Sequence, residues 1–150
     1  AACDLLTRNN GICGTGFLQT TGAELITVKS WWDSVDSLRG AVVGPMVLRH
    51  RELRPVMRTW ISTDDIWLAR SAIIHQLGYR GETDPELLFG LCATRATDPE
   101  FFIAKAIGWA LRDYSYTDAA AVVAFIDNHP ELRPLSRREG LKAIKRRGQR

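Results

Sequence analysis

A chain of 150 residues, 45% hydrophobic and 25% charged, is long enough to bury one core and short enough to argue against a second domain. That balance excludes a disordered polymer, and no apolar run approaches the ~18 residues of a membrane-spanning helix. The net charge of +3 is unevenly spread: Arg133 to Arg150 hold eight Lys/Arg against one acid, Glu139, a balance of +7 that leaves −4 for residues 1–132. A basic end of this kind suits an anionic polymer, and on charge alone a solvated helix suits equally.

In chain order, Ala1-Ala2-Cys3-Asp4-Leu5-Leu6 has neither a basic leader nor an initiating methionine and reads as the second half of a helix, so a fragment is expected. Cys3, Cys13 and Cys92 are odd in number and lack ligand spacing. They predict buried free thiols in a reducing cytoplasm, not a zinc site or a disulfide framework. Apolar periodicity predicts helices over 17–28, 30–39, 43–50, 52–61, 65–78, 85–95, 99–113, 117–128 and 135–147, with no alternating strand. Asp84-Pro85 and Asp98-Pro99 each offer an N-cap followed by proline at N1, and Ser62-Thr63-Asp64-Asp65 offers several caps. Gly40, Gly78 and Asn128-His129-Pro130 mark stops.

Aromatic positions recur at a step of 35 residues: Trp32, Trp67 and Phe102. The same step carries Val35 to Arg70 and Lys105. Two helices per unit of ~35–45 residues is the signature of an all-α solenoid of HEAT or armadillo type. Arg70 and Lys105 are then expected at equivalent places on a concave face.

The segment Lys29-Ser30-Trp31-Trp32-Asp33-Ser34-Val35-Asp36 sets an aromatic ring and a carboxylate four residues apart, on one side of a helix. For Trp32 the repeat itself supports a stacked core ridge. Asp36 resists that account, because its repeat equivalents are Ser71 and Ala106. Arg70, set among apolar residues, suits a ladder position or a phosphate clamp. Trp109 follows Gly108, a mid-helix glycine that costs about 1 kcal/mol unless another backbone approaches it closely. His50, His75 and His129 are too scattered for a metal or nucleophile pair, and no phosphate loop or nucleophile elbow is present.

Four runs, Lys29–Asp36, Asp65-Ile66-Trp67-Leu68-Ala69-Arg70-Ser71-Ala72-Ile73, Phe101-Phe102-Ile103-Ala104-Lys105-Ala106-Ile107-Gly108-Trp109-Ala110-Leu111-Arg112 and Leu135-Ser136-Arg137-Arg138-Glu139, closely resemble in order the AlkD-type DNA alkylation repair glycosylases. The resemblance covers nearly the whole chain, with the family's first helices expected to be lacking. It implies the C-terminal part of a single HEAT-like domain spanning 1–150, with Trp32, Asp36, Arg70 and Trp109 forming the active cleft. Cations expected on DNA are Lys29, Arg70, Lys105, Arg112, Arg137, Arg138 and Lys142.

The implied reaction is hydrolysis of the N-glycosidic bond of purines alkylated at N3 or N7 in duplex DNA. A cationic base departs neutral without a general acid, so Asp36 is expected to stabilise the sugar cation and orient water. Trp32 and Trp109 would wall the nucleotide and Arg70 would hold a phosphate. With no lysine placed as a Schiff-base nucleophile, a monofunctional enzyme is expected: monomeric, without metal or cofactor, off the membrane, in a bacterial-type cytosol or nucleoid. The competing expectation is a non-catalytic helical-repeat module that binds DNA or protein.

Overall fold

A computed structural model describes residues 2–9, 11, 14–28 and 31–149, without the side chains of 2, 3 and 7. Among the described residues all regular structure is helical and there is no strand. The chain gathers into two compact units, 1–75 and 76–150. Lys29 and Cys13 lie outside the described residues, as does the side chain of Cys3.

The first unit opens with α1 (Ala2–Asn9), followed by a 3-10 turn (Thr15–Phe17), a π turn (Leu18–Gly22) and α2 (Ala23–Thr27). Then come α3 (Trp32–Leu38), a second π turn (Arg39–Val43) and α4 (Gly44–Arg49) as one helical path, and after a 3-10 turn (Arg51–Leu53) α5 (Arg54–Ile61) and α6 (Ile66–Ile74). Gly40 therefore does not stop a helix. A glycine stop uses the left-handed conformation, Gly78 is the one glycine with positive φ among the described residues, and Gly40 instead sits inside the π turn. Pro45 is the second residue after that turn. Its ring would crowd the carbonyl of Ala41 in a regular helix, and the wider π turn relaxes the backbone at that spot. The path stays helical because Val35, Leu38, Val42, Val43, Met46 and Val47 are all buried, so breaking it would expose the centre of the core.

The second unit holds a 3-10 turn (Arg80–Glu82), α7 (Pro85–Thr94), α8 (Phe101–Tyr114), α9 (Ala119–Asn128) and α10 (Pro134–Gly148). Asp84 caps α7 as expected, through Leu87 N–H at 3.2 Å. Asp98 does not cap α8: its carboxylate is divided between Arg95 at 2.8 Å and Glu100 N–H at 2.9 Å, which leaves Pro99 outside a helix that starts at Phe101. Ile103, Ile107, Leu111, Val122 and Ile126 are fully buried, and Phe89 stacks on Phe125 at 4.7 Å.

Helices α8 and α10 run parallel in close contact. Ser136 Oγ donates to the Ala104 carbonyl at 2.8 Å near their starts, and Glu139 and Gly140 meet Gly108 and Leu111 one turn later. A Cβ on Gly108 would stand 2.6 Å from Glu139 Cβ. The approach of another backbone thus explains the mid-helix glycine.

Candidate active site

Within the first unit, Trp31 holds an extended backbone (φ −136°, ψ 154°) as the N-cap of α3, so Trp32 is the first helical residue and Asp36 follows one turn later. Asp65 caps α6 twice over, accepting from Trp67 N–H at 2.9 Å and Leu68 N–H at 3.0 Å. Those two starts come together: the Trp31 and Trp67 rings lie 6.3 Å apart, tilted by 54°. One turn further along, Arg70 reaches Asp36.

The Arg70–Asp36 pair is bidentate. Nε donates to Oδ1 at 2.9 Å and Nη2 to Oδ2 at 2.8 Å, the parallel-fork geometry that fixes a carboxylate in both position and plane. The arginine side chain is 5% exposed and the aspartate 16%, so the aspartate side chain keeps more contact with solvent than its partner. Trp32 is 43% exposed beside it. Trp67 and Phe102 are half-buried, and each, like Trp32, stands in the first turn of its helix. The 35-residue step therefore marks equivalent helical positions, but these three rings are not the fully buried ridge that the repeat suggested.

The cations expected on DNA take different positions. Arg70, for which the sequence allowed a ladder position or a phosphate clamp, is buried and paired with Asp36. Lys105 (3.5 Å) and Arg112 (3.0 Å) both pair with Glu139, which binds α10 to α8. Burial alone would raise the Glu139 carboxyl, but the charges of Lys105, Lys142 and Arg112 outweigh it and hold the group below the usual range. Arg137 donates to the carbonyls of Ile126 (2.9 Å) and His129 (3.1 Å), closing the C-terminus of α9. Arg138 and Lys142 are exposed on α10, and Trp109 is half-buried on α8.

Two roles had no signal in the local sequence. Glu139, the single acid of the basic end, is the hub of an ion cluster, and Trp31 rather than Trp32 supports Trp67. Pairing across 27 residues, from Arg112 to Glu139, or across the 36 from Trp31 to Trp67 is not legible from either segment alone. Cys92 is a free, fully buried thiol that burial pushes up to about 12, which suits an inert core residue. No group of three metal-binding side chains occurs among the described residues.

The family model described as DNA alkylation repair enzyme matches residues 1–144. Comparison with curated proteins gives no match. Among solved structures the chain is similar to one named "Predicted DNA alkylation repair enzyme from Enterococcus faecalis", at 33% identity and a TM-score of 0.87. The alignment covers 95% of this chain and 66% of that one, so this chain spans just under two thirds of the relative's length. The all-α class of solenoid type expected from the sequence is the one found. With a family match over nearly all its length and a relative that superposes this closely, the chain belongs to the DNA alkylation repair enzyme family.

Proposed function

We propose that the protein is a monofunctional DNA glycosylase that hydrolyses the N-glycosidic bond of N3- or N7-alkylated purines in duplex DNA. The observation that carries this reading is the Asp36 carboxylate, locked by the buried Arg70 fork on a side chain that is only partly buried, one turn from an exposed tryptophan. A cationic alkylpurine leaves as a neutral base, and positive charge then collects on the deoxyribose. A carboxylate 4 Å from that charge attracts it by about 4 kcal/mol at an effective dielectric near 20. The paired Arg70 makes this an upper bound, since an ion pair acts at a distance only as a dipole. Asp36 therefore works on a sugar in contact with it, and preorganisation by Arg70 spares it reorientation as the bond breaks.

In this mechanism Asp36 also orients the attacking water. Trp32 offers a flat face to the nucleotide, with a cation–π contribution while the lesion is charged. Trp109 takes a similar wall role by resemblance. The chemistry asks for no cofactor. The direct test incubates the protein with a duplex carrying one N7-methylguanine and follows free base under single-turnover conditions, beside Asp36→Asn. Release that depends on Asp36 supports the enzyme. Failure of the parent to release base would leave the rival.

That rival is a catalytically silent helical-repeat module, and one observation favours it: a largely buried ion pair between α3 and α6 is also what a rigid scaffold would use to align two helices. The accessibility of the Asp36 carboxylate to a sugar separates the two readings. A scaffold for a polyanion is weakened by an accessible carboxylate, and an enzyme that stabilises a sugar cation needs one.

A further inference from the structure

The second unit contains an open cleft of about 500 Å³ lined by Gly78, Arg80, Asp113, Tyr116, Thr117 and Arg147, none of which belongs to the excision site. Its walls are built in two ways. The turn after α6 is left-handed twice, at Gly78 (φ 82°) and at Arg80 (φ 54°), the one non-glycine residue with positive φ among the described residues. Asp113 Oδ2 accepts from Gly78 N–H at 3.0 Å and so ties that turn to the end of α8. Arg80 is exposed and pairs with no carboxylate among the described residues. The other cation of the lining is Arg147, whose guanidinium lies 4.5 Å from the centre of the Tyr116 ring and donates to the Ser115 carbonyl at 3.4 Å. Tyr116 is nonetheless 62% exposed.

A left-handed arginine is a backbone cost that glycine would avoid, and such costs persist where the side chain has work to do. Two arginines and one aspartate leave the cleft with one net positive charge, beside a phenol, a threonine hydroxyl and an exposed aromatic face. From this we infer that the cleft is a binding site for one phosphodiester of a nucleic-acid backbone. A singly charged phosphodiester matches the net charge, whereas a phosphomonoester carries more negative charge toward Asp113. The two lining arginines supply forked donors, and Tyr116 supplies a face for the adjoining sugar or base. The site shares with the excision reading only its DNA partner, and it is tested by binding without reference to base release.

The experiment measures anisotropy of a labelled undamaged duplex across a salt series for the parent, Arg80→Gly, Arg147→Gln and the double variant. One shared phosphate predicts that the slope of log K against log salt falls by about one unit in the double variant, with each single variant losing much of the same unit. Arg80→Gly should melt no earlier than the parent, since it relaxes the left-handed residue, so weaker binding cannot be laid to unfolding. An unchanged slope in the double variant overturns the proposal. So does tight binding of thymidine 5′-monophosphate that the double variant loses, because the cleft would then serve a small phosphomonoester.

Discussion

Asp36 and Arg70 are each other's environment, and substitutions at the two separate chemistry from structure. Asp36→Asn keeps the size of the side chain and one acceptor for Arg70 but leaves that buried cation without its counter-charge, so melting temperature should fall too; excision by the folded fraction should fall by ~10²-fold or more, the usual loss for one preorganised electrostatic group, with undamaged duplex still bound. An Asn variant as fast as the parent in single-turnover release would exclude the oxocarbenium role. Arg70→Ala breaks a largely buried pair and should destabilise the fold by about 3–5 kcal/mol. Because both its bonds to Asp36 are internal, the folded remainder should show an unaltered salt dependence of DNA binding; a slope lower by about one unit would instead put Arg70 on a phosphate. Arg70→Lys is the milder probe. It keeps the charge and loses the fork, so excision should drop while the salt slope again stays put.

At the level of elements, the α8–α10 contact is the most sharply defined in the second unit. Gly108→Ala gains about 1 kcal/mol of helix propensity, yet it drives a methyl to 2.6 Å from Glu139 Cβ, with two packed helices behind the clash. Overpacking at about 1–3 kcal/mol outweighs the gain, and a lower urea midpoint with an unchanged m-value is the expected outcome. Glu139 gives the same contact a pH signature. Its folded carboxyl is lowered from an ordinary value of 4.5, so its stabilisation is in place above that value and is lost as pH falls through the lower folded one. Melting curves of parent and Glu139→Gln should therefore differ at pH 7 and converge as pH falls through the lowered folded value; a gap that stays constant down to the lowest pH at which the parent remains folded would mean that packing, not charge, sets the contact. Trp109 adjoins this seam, and Trp109→Ala should lower excision more than it lowers melting temperature. A collapse in melting with full activity in the folded fraction would place the ring in the core instead.

For the whole molecule, lesion charge is the most demanding prediction. The mechanism proposed for Asp36 uses no general acid and so works on bases that are activated beforehand. N3-methyladenine and N7-methylguanine should be released from duplex DNA, while uracil and hypoxanthine stay in place in the same reaction. Efficient uracil release would overturn the mechanism even if alkylpurines were also released.

The helical class was readable from the chain because its evidence is local and repeated: apolar spacing, the Asp65 and Asp84 caps, Gly78 at a left-handed turn, and a 35-residue aromatic step that places Trp32, Trp67 and Phe102 in first turns. Local rules failed where tertiary burial was stronger. Gly40 looked like a stop, but the apolar run on both sides of it was worth more buried in one path, and the Pro45 ring was accommodated by a π turn. Asp98 looked like a cap, but Arg95 competed for the same carboxylate. The candidate site shows the same division. Residue types at Trp32, Asp36 and Arg70 were legible as a cluster of functional groups, since type and spacing are properties of the chain. Their partners were not. Whether an arginine meets a phosphate, a carboxylate or a carbonyl depends on what another segment brings within 3 Å, and that folding alone settles: it turned Arg70 onto Asp36, Arg137 onto the end of α9, and Lys105 and Arg112 onto the single acid of the basic end.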